Sequence, residues 1–260
     1  MPIRVYIDQG HNPRDYNTGA EGNGYFEQDI TYEVGRLLYN YLEANPEFTP
    51  RLSRPTPNTI LGTSNASSVI TRVNQANSWG ADIFISIHTN ASVNPSANGS
   101  EALIYSTSSE VAYALAEDIL TEMTQITGLR NRGIIERPGL YVLRRTRMPA
   151  VLVEMGFITN PEDAELMANS PNLFALALRS SNAYLTSSLN TALSCSFPFI
   201  IFCSSKAPSL IYSCSPNRKP NPAYASLSDI PDDMLFIILD ISSYAGRTFE
   251  FTFCIFNIFL

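Results

Sequence analysis

Two histidines make up the whole imidazole supply of this 260-residue chain, and each stands at the end of an apolar run. His11 follows Ile3-Arg4-Val5-Tyr6-Ile7-Asp8, and His88 closes Ala81-Asp82-Ile83-Phe84-Ile85-Ser86-Ile87. Runs this short, the first punctuated by Gly10, Asn12 and Pro13, read as buried strands. Imidazoles at the carboxyl ends of neighbouring strands share one rim of a sheet. A lone histidine is more often a hydrogen-bonded structural residue than a ligand, but the shared placement of two reverses those odds. A hydrolytic zinc site takes three protein ligands, commonly two histidines and a carboxylate, and keeps a fourth position for water.

Glu27 is the best third ligand, because it opens a helix directly after the loop that leaves His11. The helix macrodipole alone also favours a carboxylate there, with Gly24 as a tolerable N-cap, yet glycine has no side chain to complete a reciprocal capping box. Glu21 is a rival on the same loop, where its neighbours Gly19 and Gly22 suggest a mobile position instead. Glu154 ends the apolar strand Ala150-Val151-Leu152-Val153, where an unpaired carboxylate is costly to bury. Beside a metal it serves as general base toward the attacking water and then as acid toward the leaving amine. The bland alternative is a salt bridge to Arg144, Arg145 or Arg147.

The elements that must position these groups alternate in type. Ile30, Val34, Leu37, Leu38, Tyr41 and Leu42 recur at helical spacing from Glu27 until Pro46. Phe48 to Leu52 reads as a weak edge strand, given Pro50 inside it, and Ser64 or Asn65 caps a helix running to Ser78. Glu101 to Ser106 is a further strand, and Ser108 to Thr127 a helix ended by Gly128. Leu140 to Arg144 and Ala150 to Glu154 read as strands, and Pro161 to Met167 and Pro171 to Leu185 as helices with proline near their starts. Such alternation predicts an α/β fold, a mixed or parallel sheet with helices on both faces and ligands beyond the carboxyl ends of its strands.

Composition divides the chain near residue 190. Residues 1–190 hold no cysteine and no lysine, whereas Cys195, Cys203, Cys214, Cys254, Lys206 and Lys219 all fall in 191–260. Those cysteines lack paired C-x-x-C spacing, so they give neither a zinc ribbon nor a disulfide framework. The segment 191–260 reads as a poorly structured extension or as sequence from a foreign reading frame, in preference to a wall-targeting domain, and is assigned no role. A net charge of −7 argues against a nucleic-acid partner. The apolar runs Phe197 to Cys203, Met234 to Ile241 and Phe249 to Leu260 are shorter than the ~20 residues of a membrane span. Met1 to Asp8 already reads as a strand and lacks the regions of a secretory signal, which leaves the export route open.

Taken together, Val5-Tyr6-Ile7-Asp8-Gln9-Gly10-His11, Gly19 to Gly24 leading to Glu27, Ile85-Ser86-Ile87-His88-Thr89-Asn90, and Val153-Glu154-Met155-Gly156-Phe157-Ile158-Thr159-Asn160 resemble the zinc amidases of the N-acetylmuramoyl-L-alanine amidase type 3 family. The four stand in the family's order and cover about residues 2–188. The resemblance implies Zn2+ held by His11, Glu27 and His88, with Glu154 as the catalytic carboxylate. It also implies a mixed, mostly parallel six-stranded sheet flanked by helices, and cleavage of the amide between N-acetylmuramic acid and L-alanine in peptidoglycan. Action at the bacterial cell wall, as a monomer, goes with that reading. Gly128 to Gly133 looks like the family's loop before the last strands, bordering the groove. The arginines at 144, 145 and 147 face either an anionic stem peptide or, more often for such runs, bulk solvent. Gln9 stands where the family usually has proline or another small residue, a departure that alters the loop without removing a ligand. The alternatives are a zinc peptidase acting within the stem peptide, and a non-catalytic wall-binding relative, which would have lost a ligand or Glu154.

Overall fold

The structure, a computed structural model, describes residues 1–180 together with Ile237–Asp240 and Thr252–Ile255. The chain separates into two units, Met1–Asn190 and Thr191–Leu260. In the first, the elements in chain order are β1 (Ile3–Gln9), β2 (Glu21–Gly22), β3 (Tyr25–Phe26), α1 (Glu27–Glu43), β4 (Phe48–Leu52), α2 (Asn65–Trp79), β5 (Ile83–Asn90) and β6 (Ser100–Ile104). Then follow α3 (Glu110–Thr127), β7 (Asn131–Glu136), α4 (Tyr141–Arg145), β8 (Ala150–Phe157), α5 (Pro161–Asn169) and α6 (Pro171–Ser180). In the second unit, β9 (Ile237–Asp240) and β10 (Thr252–Ile255) pair antiparallel, although their apolar runs show no strand period. The expectation of a poorly structured extension otherwise lies outside the described residues.

Six strands form one sheet in the order β4-β1-β5-β8-β6-β7. Pairing is parallel except between β6 and β8, so the sheet is mixed and mostly parallel, as expected. The period of two along each strand sorts side chains onto two faces. Val5, Ile7, Ile83, Ile85, Ile87, Val151, Val153 and Ala102 meet α1, α3 and α6 through Val34, Leu38, Leu115, Ile119, Phe174 and Leu178. Tyr6, Phe84, Leu152 and Leu103 turn the other way, onto Val73 and Ala76 of α2 and Val142 and Leu143 of α4. Central strands covered on both sides are why β1, β5 and β8 read as near-continuous apolar runs.

Two assignments are corrected. Leu140 to Arg144 is not a strand: α4 is a single helical turn there, closed by the bond from the Arg144 amide to the Leu140 carbonyl. Its adjacent Val142 and Leu143 both bury against the sheet, which imitates a strand's short apolar run. The sixth strand is instead β7, which begins inside the Gly128 to Gly133 stretch expected to be a loop and runs on to Glu136. It lies on the sheet edge, carries Gly133 at a φ of 94°, and has no buried residue, so its apolar pattern is weak. Phe48–Leu52 is an edge strand despite Pro50, whose missing N–H an edge tolerates. Among the described residues no helix is long and apolar enough to cross a membrane.

Candidate metal and catalytic centre

Register explains how the chemistry reaches one rim. On the face covered by α2 and α4, the alternation that buries Tyr6, Phe84, Leu152 and Leu103 continues with Asp8, Ser86, His88, Glu154 and Glu101. His88 lies beside Glu154 in the β5–β8 register, and Glu154 beside Glu101 in the β8–β6 register. The antiparallel direction of β6 matters here, because it brings the start of that strand to the rim where β5 and β8 end. Asp8 is likewise level with Ser86, whose hydroxyl donates to its carboxylate at 2.8 Å.

His11 lies just past β1, where the amide of Gly10 still donates to Ile87 O at 3.0 Å. Gly10 runs so close to the second imidazole that a Cβ there would stand 2.6 Å from Cε1 of His88. Glu27 is the first residue of α1, and it is buried. Its N-cap is Phe26 and not Gly24, without any side-chain cap, and the Glu27 amide is instead satisfied by Ala20 O at 3.0 Å. The carboxylate of Glu27 therefore serves no capping purpose. Its Oε1 stands 3.2 Å from Nε2 of His11 and 3.1 Å from Nδ1 of His88, and accepts from the Thr89 amide at 2.9 Å. Its Oε2 accepts from the Ala20 amide at 2.8 Å.

The donor atoms of His11, Glu27 and His88 all lie within 4.8 Å of one another. Burial alone pushes the Glu27 carboxyl up, but the hydrogen bonds and positive charge of His11 and His88 outweigh it and hold the group well below the ordinary carboxylate range. Nδ1 of His11 is 3.2 Å from Asn17 O and donates there, which leaves Nε2 as the ring nitrogen that faces Glu27. Both imidazoles keep about 19% of their side-chain surface exposed, which gives the cluster an opening to solvent. Glu21, the rival ligand, is exposed and spends its backbone in a two-residue pairing with Phe26.

Glu154 occupies the rim beside His88, and its Oε2 is buried without a hydrogen-bond partner. Burial pushes its carboxyl up, and the charges of Glu27 and Glu101 push the same way, to about 8. Arg144, Arg145 and Arg147 are exposed, and among the described residues none forms an ion pair with it. Glu101 is held by Arg132 (Nε to Oε2, 2.9 Å) and Asn90 (2.8 Å), and the Arg132 guanidinium lies over Phe157 at 4.8 Å. Arg132 falls within Gly128 to Gly133, while Glu101 and the buried Arg72 were not singled out from the sequence.

Comparisons with known proteins bear on the family and the fold. The family model described as N-acetylmuramoyl-L-alanine amidase matches residues 5–183. The amidase LytC of Bacillus subtilis is 38% identical over 162 residues, 62% of this chain and 30% of that protein. The amidase CwlM of Bacillus licheniformis is 34% identical over 67% of this chain and 64% of its own length. The chain thus spans less than two thirds of either relative. Among solved structures, the amidase AmiC2 of Nostoc punctiforme superposes with a TM-score of 0.62 at 32% identity, over 71% of this chain and 97% of that one.

Proposed function

We propose, from the premise that this chain belongs to the N-acetylmuramoyl-L-alanine amidase family, that it is a zinc-dependent hydrolase of peptidoglycan. It cleaves the amide joining N-acetylmuramic acid to L-alanine of the stem peptide, and it works where that polymer lies, at the bacterial cell wall, as a monomer. Residues 1–190 are the catalytic domain in this reading, and 191–260 have no assigned role.

The observation that carries the proposal is the convergence of two imidazoles and one ionised carboxylate within 4.8 Å, beside a second carboxylate with an unpartnered buried oxygen. The donor set fits Zn2+: two neutral nitrogen donors and one anionic oxygen match hydrolytic zinc sites that leave a position for water. The backbone also closes tightly around it, since a Cβ at Gly19 would stand 2.6 Å from Cβ of Glu27. His11, Glu27 and His88 would hold the ion. When bound, Zn2+ supplies Lewis acidity toward the scissile carbonyl and lowers the pKa of water.

The protein's own groups do the rest. Glu27 stays ionised because both imidazoles and two backbone amides stabilise its charge. Asn17 O keeps Nδ1 of His11 a donor, so Nε2 is the nitrogen that would face the ion once the proton it shares with Glu27 is released. Glu154 carries the mobile proton at Oε2. In its ionised form it accepts a proton from the attacking water, and in its protonated form it donates to the departing amine. Burial holds that carboxyl above the ordinary value near 4.5, in the direction that lets one group both accept and return a proton.

The test is digestion of purified peptidoglycan followed by mass analysis. The amidase releases peptides with a free N-terminal L-alanine and leaves the glycan chains intact, whereas a peptidase yields fragments cut within the stem. Glu154→Gln is expected to retain zinc and to lose nearly all hydrolysis. Full activity in that variant would refute the mechanism.

A further inference from the structure

The two imidazoles are held by different means. His88 belongs to β5, which is hydrogen-bonded to β1 on one side and β8 on the other, so the sheet ladder fixes its backbone. His11 has no ladder of its own, and its φ is 68°, in the left-handed region that a non-glycine residue keeps only when its surroundings impose it. The surroundings that impose it converge on one side chain. Arg72 projects from α2 and is 2% exposed. Its Nη1 donates to Asp8 Oδ1 at 2.6 Å, to Gln9 O at 2.5 Å and to Ser53 Oγ at 3.3 Å. Its Nη2 donates to His11 O at 2.5 Å and to Asn12 Oδ1 at 3.3 Å.

This is one planar fork gripping the chain on both sides of the bend where β1 gives way to the His11 loop. A guanidinium suits the task because its two terminal nitrogens diverge at a fixed angle, whereas an ammonium is a single point. Asp8, 1% exposed, neutralises the fork, and its other oxygen is occupied by the Ser86 hydroxyl of the strand that carries His88. The chain Ser86–Asp8–Arg72–His11 therefore ties the backbone of one metal ligand to the strand bearing the other.

We propose that Arg72 is a positioning residue for the metal ligand His11, setting the direction of its imidazole through the His11 carbonyl. The proposal rests on the zinc reading of the cluster. Outer partners that orient ligands typically contribute roughly tenfold to a hundredfold in metal affinity. A purely structural Arg72 would matter for folding alone, and the folded protein without it would bind metal as before.

The experiment uses the full chain, stripped of metal, and compares wild type with Arg72→Lys and Asp8→Asn. Circular dichroism fixes the folded fraction. Zinc affinity is then read by competition with a chromophoric chelator, and ligand geometry by the visible spectrum of the Co2+ form. For Arg72→Lys the folded protein is expected to bind zinc roughly tenfold to a hundredfold more weakly, with altered Co2+ bands. If Arg72→Lys does not fold, Asp8→Asn answers instead: it keeps the guanidinium but loosens its anchor, and a several-fold weakening with the same spectral change is expected. Wild-type affinity and an unchanged Co2+ spectrum in the folded variant would overturn the proposal. Failure of the wild-type chain to bind zinc at all would overturn the underlying metal reading, and is read directly in the same titration.

Discussion

The two faces of the central sheet obey one alternating rule and end differently. On the face covered by α1, α3 and α6 the apolar residues meet helix side chains along most of each strand, and the polar residues that end the pattern, Gln9, Thr89 and Ser100, are themselves buried. On the face covered by α2 and α4 the apolar residues stop at Tyr6, Phe84, Leu152 and Leu103, and the next positions are Asp8, Ser86, His88, Glu154 and Glu101. The first face is spent on burial, and the second divides its length between burial and chemistry. Reactive groups thus need no separate scaffold here: they inherit rigid backbone from strands whose other side is pinned by a core.

That contrast can be broken or sharpened by four measurements, taken from the largest effect to the smallest. His88→Ala removes a donor from the polar end and is expected to weaken zinc binding by more than about a hundredfold, with peptidoglycan hydrolysis lost in parallel. A variant that keeps wild-type zinc affinity would show that the polar end is not a metal centre. Leu38→Ala on the opposite face is expected to lower unfolding free energy by about 2–5 kcal/mol, while zinc content per folded molecule is unchanged; chemical denaturation and metal analysis check both halves. Loss of zinc binding in that variant would merge the two faces into one functional unit.

The third measurement is a pH dependence. In metal-free protein the Glu154 carboxyl sits at about 8 against an ordinary 4.5, so the folded state holds its proton more tightly than the unfolded chain does. The stabilisation from that proton is complete below the ordinary value and is lost as pH rises through the folded one. Wild type is therefore expected to lose on the order of a few kcal/mol between pH 4.5 and pH 8 relative to Glu154→Gln, which cannot ionise. Urea denaturation at pH 5 and pH 9 reads the difference, and parallel pH profiles for the two proteins would rule it out. The smallest effect belongs to Asn160, whose side chain accepts from the Glu162 and Asp163 amides at the start of α5. Asn160→Ala is expected to cost about 1 kcal/mol in thermal unfolding without changing hydrolysis, and a loss of activity would extend the site beyond the sheet rim.

The fold was legible where burial is two-sided. β1, β5 and β8 have covered faces on both sides, so their apolar runs stood out, and with them the positions of His11, His88 and Glu154. β7 and α4 were misread for the complementary reason. An edge strand with Gly133 and two half-buried isoleucines carries little pattern, and one helical turn with two adjacent buried residues looks extended. Arg72 was invisible because arginine ordinarily marks a solvated face. Its spacing offered the clue: Ser68, Arg72, Val73 and Ala76 share the buried stripe of α2, so the guanidinium had to enter the interior. Glu101 needed the pairing of β6 with β8, a long-range fact that no local pattern in the sequence contains.

Pro50 bears on a different property, colloidal behaviour. β4 is the outermost strand on its side of the sheet, and an open strand is a template on which a second molecule can stack its own backbone. A proline at the centre of that strand withholds an amide hydrogen, and the neighbouring Arg51 sets a charge beside it. Both features discourage intermolecular sheet growth from this flank and favour a protein that stays dispersed at high concentration.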